Sequence, residues 1–210
     1  MLPRDDLKQT DRNRVACARG PVCIPLYLDL PAIGIVHACW CEQSFVDLES
    51  TLAPGQRLSP DAIEQYSQQG SVIYEAIERI LTGPEQRLPD ALRFKDKDGH
   101  LRSHARLKWW KSADHAISER LEFGGTQLSV DELSLLDQLE PIAAHSLPNK
   151  PVFVGHYWQQ GKPAPLSENV VCVDYSVANG GRLTAYRWDG ERKIEPEKFA
   201  WVSASPSARA

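Results

Sequence analysis

Long apolar runs are lacking in this chain of 210 residues, and no stretch approaches the roughly 20 apolar residues that span a bilayer. Cysteine is scarce, and five thiols at unrepeated spacings argue against the disulfide framework of a small exported domain. An excess of positive charge is also absent, because 24 basic residues stand against 28 acidic ones, for a formal charge of −4. This balance argues against a sheath on nucleic acid and against a binder of anionic membranes.

Signals for export and for several common chemistries are missing as well. The first residues are charged and no apolar stretch follows them, so we expect no secretory signal and a cytoplasmic protein. There is no Gly-rich phosphate loop, no G-x-S-x-G and no Ser/His/Asp order. Apolar residues make up 42% of the chain and charged residues 25%, which is typical of a globular protein.

The two most closely spaced cysteines, Cys39 and Cys41, flank a tryptophan in ACWCE. They are one residue closer than in a Cys-x-x-Cys motif, and no second pair follows at the spacing of a zinc finger. We therefore interpret them as small apolar side chains in and beside a strand. The alternative is a small metal-binding protein that uses these thiols beside His37.

The two ends of the chain differ from its middle. Residues 1–22 are polar without a clear period, which predicts an irregular arm, and residues 203–210 form a low-complexity tail that we expect to be disordered. Between them, IPLYLDL alternates apolar and polar residues as a strand does. The β-branched run IGIVHAC predicts a strand buried on both faces.

Helical signals dominate the middle of the chain. Ser59 followed by Pro60 marks one helix start, and a second helix through SVIYEAIERILTG carries isoleucines on one face and ends at Gly83. The segment LRFKDKDGHLRSHARLKWW predicts two strands around a polar turn, with the rings of Trp109 and Trp110 on opposite strand faces. A further helix is predicted in VDELSLLDQLE.

Short strands return in the last third of the chain, at PVFVG, NVVCVDY, GRLTAYRW and RKIEP. The sequence Asn179-Gly180-Gly181 provides the positive φ that a tight turn between two strands requires. No internal repeat is present. These patterns together predict an α/β or α+β fold, with strands that cluster at both ends of the ordered chain.

Two histidines stand where apolar strands end. His37 lies in IGIVHAC, and His156 follows PVFVG, with Gly155 before it to let the backbone turn sharply. Ligand-binding side chains converge at the carboxyl ends of strands in α/β sheets, so both imidazoles are candidate metal ligands. The alternative is a pair of core histidines, each hydrogen-bonded to a carbonyl. The other histidines have charged or loop surroundings and no convergent partner: His100, His104, His115 and His145.

An ordered set of segments resembles a known family. IVHACW, LTGPEQRLP, DKDGHLR, RLKWW, VFVGHYW and the closing NVVCVDYSVANGGRLTAYRWDGE follow one another from about Pro25 to Val202. In this order they are similar to the second part of bacterial calcineurin-like metallophosphoesterases, relatives of the serine/threonine phosphatases and the symmetrical diadenosine tetraphosphatases. The closing segment is the most specific of the set.

The resemblance implies a metal-dependent hydrolase of phosphoric esters or anhydrides, in which two divalent ions clamp the phosphate and activate a water. By resemblance, His37 and His156 are the two late histidines of the family and bind one metal of the Mn, Fe, Zn or Ni type. Tyr157 and Asp174 are the candidates for supporting the site or for touching the substrate. Expected partners are a phosphorylated small molecule, a dinucleotide or a phosphoprotein.

The implied fold is part of an α/β/β/α two-sheet sandwich. It is an incomplete domain over residues 23–202, with a helical and hairpin insertion at 42–145. The family's early motifs, D-x-H, G-D-x-x-D-R-G and G-N-H-E, would precede His37, and the 36 residues before it contain none of them. We therefore expect an enzyme portion that is impaired alone, binds metal weakly and self-associates through the sheet face that the early strands would cover. The alternative is a non-catalytic binding or regulatory module that has kept only the late strands.

Overall fold

The computed structural model describes residues 24–95, 99–124, 126–137, 139 and 146–204. These residues form a mixed α/β structure with several small sheets and five α-helices, consistent with the α+β class. The helices are α1 (Glu42–Leu48), α2 (Pro60–Tyr66), α3 (Val72–Thr82), α4 (Ile117–Arg120) and α5 (Val130–Leu136). The strands are β1 (Tyr27–Asp29), β2 (Gly34–Val36), β3 (Leu52–Ala53), β4 (Arg57–Leu58), β5 (Glu85–Arg87), β6 (Phe94–Lys95), β7 (Leu101–Arg102), β8 (His104–Leu107), β9 (Leu121–Glu122), β10 (Val152–Val154), β11 (Val170–Cys172), β12 (Asp174–Tyr175), β13 (Arg182–Tyr186) and β14 (Phe199–Ser203).

The main sheet has the strand order β1-β2-β10-β11. β1 runs antiparallel to β2, whereas β10 is parallel to both of its neighbours, β2 and β11. Parallel strands end at the same edge of a sheet, where side chains from several strands can converge. The residues that follow β2, β10 and β11 therefore meet at one edge, and they are His37, Gly155 and Val173.

One face of the main sheet is covered by α1 and α3. Val36 and Val154 on this face share a hydrophobic cluster with Leu48 of α1 and with Ile77 and Ile80 of α3. The isoleucine stripe predicted for the second helix is therefore confirmed as the side that faces the core.

The opposite face of the main sheet meets the last strands of the chain. The ring centroids of Phe153 and Tyr186 are 5.5 Å apart, and Val171 packs with Phe199 of β14. The prediction that the strand in IGIVHAC is buried on both faces is wrong, because Ile35 is 40% exposed. The last strands thus cover this face only in part.

The helix boundaries follow the signals in the sequence. Ser59 caps α2 by accepting a hydrogen bond from a backbone N–H of its first turn, and Ser71 caps α3 in the same way. Gly83 ends α3, and α5 begins with a capping box formed by Ser129 and Glu132. The predicted helix start at Ser59 and Pro60, the helix that ends at Gly83 and the helix in VDELSLLDQLE are confirmed.

The hairpin region forms a second hydrophobic cluster. β6 and β7 pair antiparallel as predicted, and β8 pairs with β5 and β9. The prediction for the two tryptophans is wrong, because the chain turns after β8 and buries both Trp109 and Trp110 with their rings edge to face. The Trp109 indole N–H donates to the Ala38 carbonyl over 3.0 Å, which ties this region to the edge where β2 ends.

The closing sheet contains β12, β13 and β14 in antiparallel order. The predicted Asn-Gly-Gly turn joins β12 to β13, and Gly181 is needed there because a Cβ atom would lie 1.9 Å from the Tyr175 carbonyl oxygen. The prediction of a strand at RKIEP is wrong, since the chain there runs into a 3₁₀ helix at Pro196–Lys198. The predicted disordered tail also starts too early, because Ser203 still belongs to β14.

Some predictions fall outside the described residues. These are the irregular arm at 1–22, the residues 96–98 of the polar turn, His145 and the tail at 205–210. None of the described helices is long and apolar enough to cross a membrane.

A glycine next to α3 makes room for the Tyr157 ring. The φ angle of Gly83 is +83°, and a Cβ atom there would lie 2.1 Å from the Tyr157 hydroxyl. We predict that Gly83→Ala lowers the free energy of unfolding by roughly 2–5 kcal/mol, because the strain of a side chain at this φ of +83° and ψ of 164° adds to overpacking. Urea unfolding followed by tryptophan fluorescence measures the loss.

The matched control is Gly70→Ala. Gly70 has the same φ of +83° but no atom within 4 Å of the added Cβ. Backbone strain alone should therefore lower the free energy of unfolding of Gly70→Ala, by about 1–2 kcal/mol. Equal losses in the two variants would contradict the packing argument.

The Glu191 carboxylate fixes the connection between β13 and β14. It accepts hydrogen bonds from the Tyr186 hydroxyl at 2.7 Å, the Asp189 N–H at 2.9 Å and the Lys198 ammonium at 2.7 Å. Burial alone would raise the pKa of Glu191, but these bonds, that of Lys198 first, lower it from 4.5 to about 2.

The lowered pKa of Glu191 makes its contribution to stability depend on pH. A carboxyl group whose pKa falls on folding stabilises the folded state above its unfolded pKa, and this stability is lost as the pH drops through the folded pKa. We predict that Glu191→Gln lowers the melting temperature at pH 7 by about 2–4 °C. The difference in melting temperature between this variant and the unmodified chain should become smaller as the pH falls from about 4.5 to about 2. The control is Glu197→Gln, at an exposed position in the same connection. If the difference in melting temperature between Glu191→Gln and the unmodified chain stays constant down to pH 2, the lowered pKa of Glu191 does not contribute to stability.

Candidate functional site

The two histidines singled out at strand ends lie side by side. The centroids of the His37 and His156 rings are 5.2 Å apart, and their planes are inclined by 49°. His37 directly follows β2, and His156 lies two residues beyond β10, so the pairing of these strands brings the rings together. The Gly155 N–H donates to the His37 carbonyl over 2.8 Å and locks the two segments. The expected proximity of the two imidazoles is confirmed.

His156 has a left-handed backbone conformation, with φ of 62°. Such angles are uncommon outside glycine, and they persist where the surroundings hold the residue in place. Tyr157 is the residue that holds it. Its ring is 4% exposed and meets Trp110 edge to face at 4.7 Å, and its hydroxyl donates to the Leu107 carbonyl over 2.9 Å. Burial raises the pKa of Tyr157 well above its ordinary value, so the hydroxyl remains a donor. Of the two roles considered for Tyr157, this position suits support of the site.

The surroundings of His156 keep its imidazole neutral. Burial lowers the pKa of His156 to about 4, and the positive charges of Arg106 and then His37 act in the same direction, whereas Asp174 opposes them. The Nε2 atom of His156 is buried and has no hydrogen-bond partner among the described residues. A neutral imidazole nitrogen in this state is able to accept a hydrogen bond or to bind a metal.

This arrangement does not match a pair of ordinary core histidines. His37 is exposed. Within the described part of the chain, no hydrogen bond to a carbonyl holds either imidazole. The proximity of the rings therefore comes from the strand topology.

Arg106 is a candidate that the sequence analysis did not single out. It lies on β8 opposite Glu85 and Glu122 of the neighbouring strands. Its guanidinium carbon is 5.6 Å from the centre of the Tyr157 ring, and its buried Nε atom has no hydrogen-bond partner in the part of the chain that is described. Strand alternation in HARL places Arg106 on the face opposite to its apolar neighbours, but alternation alone does not say what that face borders.

Asp174 lies beyond β11 on the same edge of the main sheet. Its Oδ1 atom accepts the Ser176 N–H over 3.1 Å, and its carbonyl accepts the Gln159 N–H over 2.9 Å. These contacts fasten the segment after His156 to the segment after β11. They suit the supporting role that the resemblance implies for this residue.

Few side chains that could bind a metal are grouped at this site in the described part of the chain. Among the described residues, no group of three or more His, Cys, Asp or Glu side chains is placed to hold a metal ion. Cys39 and Cys41 do not complete the set, because both are buried and burial raises the pKa of the Cys39 thiol. Burial likewise raises the pKa of Cys172 to about 12, and its Sγ atom lies 3.3 Å from the Tyr157 carbonyl. Buried, protonated thiols of this kind are structural, which favours the packing interpretation of ACWCE over a thiol metal site.

The site thus combines the neutral imidazole of His156, the exposed imidazole of His37, the half-buried side chain of Arg106 and one carboxylate engaged by the backbone. Such a set is suited to binding an anion, or to binding an anion together with a metal ion that has further ligands.

Comparison of the chain with protein-family models, with curated proteins and with solved structures finds no match. The resemblance to metallophosphoesterases therefore remains a prediction.

Proposed function

We propose that this chain is the carboxy-terminal portion of a metallophosphoesterase, a hydrolase of phosphoric esters or anhydrides that depends on divalent metal ions. The observation that carries the proposal is the imidazole pair, with His37 and His156 5.2 Å apart between ring centroids at the ends of adjacent parallel strands. The resemblance implies this meeting for two residues that are far apart in the sequence. Core packing gives no reason for a buried Nε2 atom without a partner among the described residues.

The arrangement of the layers supports the same proposal. The main sheet carries α1 and α3 on one face, and the closing sheet contacts its other face through Phe153 and Phe199. We infer that these layers are the helix–sheet–sheet part of an α/β/β/α sandwich. Leu183 and Val202 lie opposite each other on β13 and β14 and are 60% and 62% exposed, at the face where a further layer would pack.

Each residue of the site has a role in this proposal. His37 and His156 would hold one metal ion through imidazole nitrogens. When bound, such an ion polarises the phosphoryl group and supplies an activated water. Arg106 places a fixed positive charge beside the pair, where it would bind phosphoryl oxygens. Because two imidazoles are only part of a ligand set, the chain is impaired alone and needs the ligands that the early motifs carry.

A non-catalytic binding or regulatory module is the second candidate, and one observation favours it. Within the described residues, no group of three or more ligating side chains is present. Such a module would bind a phosphorylated partner through Arg106 and the imidazoles without turnover. The two candidates differ in their response when the early motifs are supplied.

Metal binding tests the role of the two histidines. We predict that the chain binds Ni²⁺ or Zn²⁺ weakly. His37→Ala or His156→Asn should lower the affinity at least about ten-fold, because each removes one of two ligands. Asn is chosen at position 156 because it tolerates the positive φ of 62° there. Calorimetric titration in metal-free buffer gives the affinities.

The controls for metal binding are His104→Ala and His115→Ala, at exposed histidines outside the pair. Both should bind metal as the unmodified chain does. Circular dichroism confirms that each variant is folded. Unchanged affinity in His37→Ala and His156→Asn would remove the metal role.

Turnover tests the enzyme. With added Mn²⁺, we predict negligible hydrolysis of bis(4-nitrophenyl) phosphate and 4-nitrophenyl phosphate by the chain alone, because most of the charge stabilisation at the phosphate is missing. Co-expression with a segment that carries D-x-H, G-D-x-x-D-R-G and G-N-H-E should restore turnover. In that pair, Arg106→Gln should lower kcat/KM by about 10²-fold, whereas Arg187→Gln, at a site with a 75% exposed side chain, should not.

Two outcomes would count against the proposal. Robust turnover by the chain alone that survives repurification and is lost in His156→Asn would mean that the early motifs are not needed. A folded pair without any turnover would favour the non-catalytic module.

A further inference from the structure

A cleft beside the imidazole pair is not used by the proposed chemistry. Its volume is about 550 Å³, which is in the range of small-molecule sites. Its walls include Trp158, Tyr175, Arg182 and Ser203, together with the Asn-Gly-Gly turn between β12 and β13. Trp158 comes two residues after His156, so the backbone at the cleft begins within about 7 Å of the histidine.

Hydrogen bonds fix the walls of this cleft. The Ser176 carbonyl accepts the N–H groups of Asn179 and Gly181, each over 2.9 Å, and Ser176 itself has a left-handed φ of 55°. The Tyr175 hydroxyl accepts the Ala164 N–H over 3.0 Å. Because these bonds form within the chain, a ligand would enter a cleft that needs little ordering.

Two side chains define the kind of ligand that the cleft fits. Trp158 is 52% exposed and offers an aromatic surface to a planar ring. The Arg182 side chain makes no ion pair or hydrogen bond within the described residues, so its charge is available to an anion. A ring and an anion on one small molecule would satisfy both.

We infer that the cleft binds a phosphate ester that carries a planar ring, of the class of a nucleoside monophosphate, with the ring against Trp158 and the phosphate at Arg182. Stacking on an aromatic side chain and pairing with a guanidinium contribute affinity independently. The identification of this ligand as part of the substrate rests on the proposed function. The binding itself does not.

The experiment uses AMP as the probe, titrated by calorimetry into the full chain in EDTA so that neither metal nor turnover contributes. Ribose 5-phosphate lacks the ring and adenosine lacks the phosphate. We expect AMP to bind at least about ten-fold tighter than either. Trp158→Leu should weaken AMP about ten-fold and leave ribose 5-phosphate unchanged, and Trp158→Phe should keep most of the affinity. Arg182→Gln should weaken AMP and ribose 5-phosphate alike.

Matched controls lie outside the cleft on the closing sheet. Trp201→Leu and Arg187→Gln change the same residue types at partly or largely exposed positions and should bind AMP as the unmodified chain does. The melting temperature of each variant without ligand shows whether a loss of binding reflects unfolding.

Two results would overturn the inference. The first is that AMP binds no tighter than ribose 5-phosphate, which would mean that Trp158 contributes nothing to binding. The other is AMP binding that survives both Trp158→Leu and Arg182→Gln in folded protein. Since metal and turnover are excluded here, failure of this inference is distinguishable from failure of the proposed hydrolase, which the turnover of the reconstituted pair decides.

Discussion

The candidate site depends on the burial of the Tyr157 ring. The ring occupies the space that the absence of a side chain at Gly83 leaves open, its hydroxyl bonds to the Leu107 carbonyl, and its contact with Trp110 joins the hairpin region to the main sheet. These contacts hold the chain after β10 in a turn that gives His156 its left-handed backbone. The position of the imidazole is therefore set by the hydrophobic core beneath it.

The charges around the imidazole pair favour an anion over a free-standing metal ion. Burial and the Arg106 charge keep His156 uncharged, and the Asp174 carboxylate already accepts a backbone N–H. A guanidinium next to a metal site repels the metal unless a phosphate or further carboxylates lie between them. The weak metal binding and the recognition of a phosphoryl group that we propose would thus follow from the same electrostatics.

Much of the fold is predictable from the sequence because local signals decide it. The caps Ser59 and Ser71, the isoleucine stripe of α3 and the Asn-Gly-Gly turn each act within a few residues. The meeting of His37 with His156 is different, since only the resemblance implied it and strand order is not written in local periodicity. Other features depend on which distant segment packs against each surface. They are the exposed face of β2, the burial of both tryptophans, the strand β14 and the placement of Arg106. Alternation shows which residues share a face, but it does not show what covers that face.

The pairing of β2 with β10 has a consequence for how this molecule folds. Gly34 and Val152 are neighbours in the sheet although most of the chain lies between them, and contacts of such long sequence separation form slowly because the intervening loop must first be closed. The histidine pair can therefore form only after these two strands have paired. A metal or phosphate that binds the pair would act on the finished fold and not on its precursors, so it should slow unfolding while leaving the folding rate nearly unchanged.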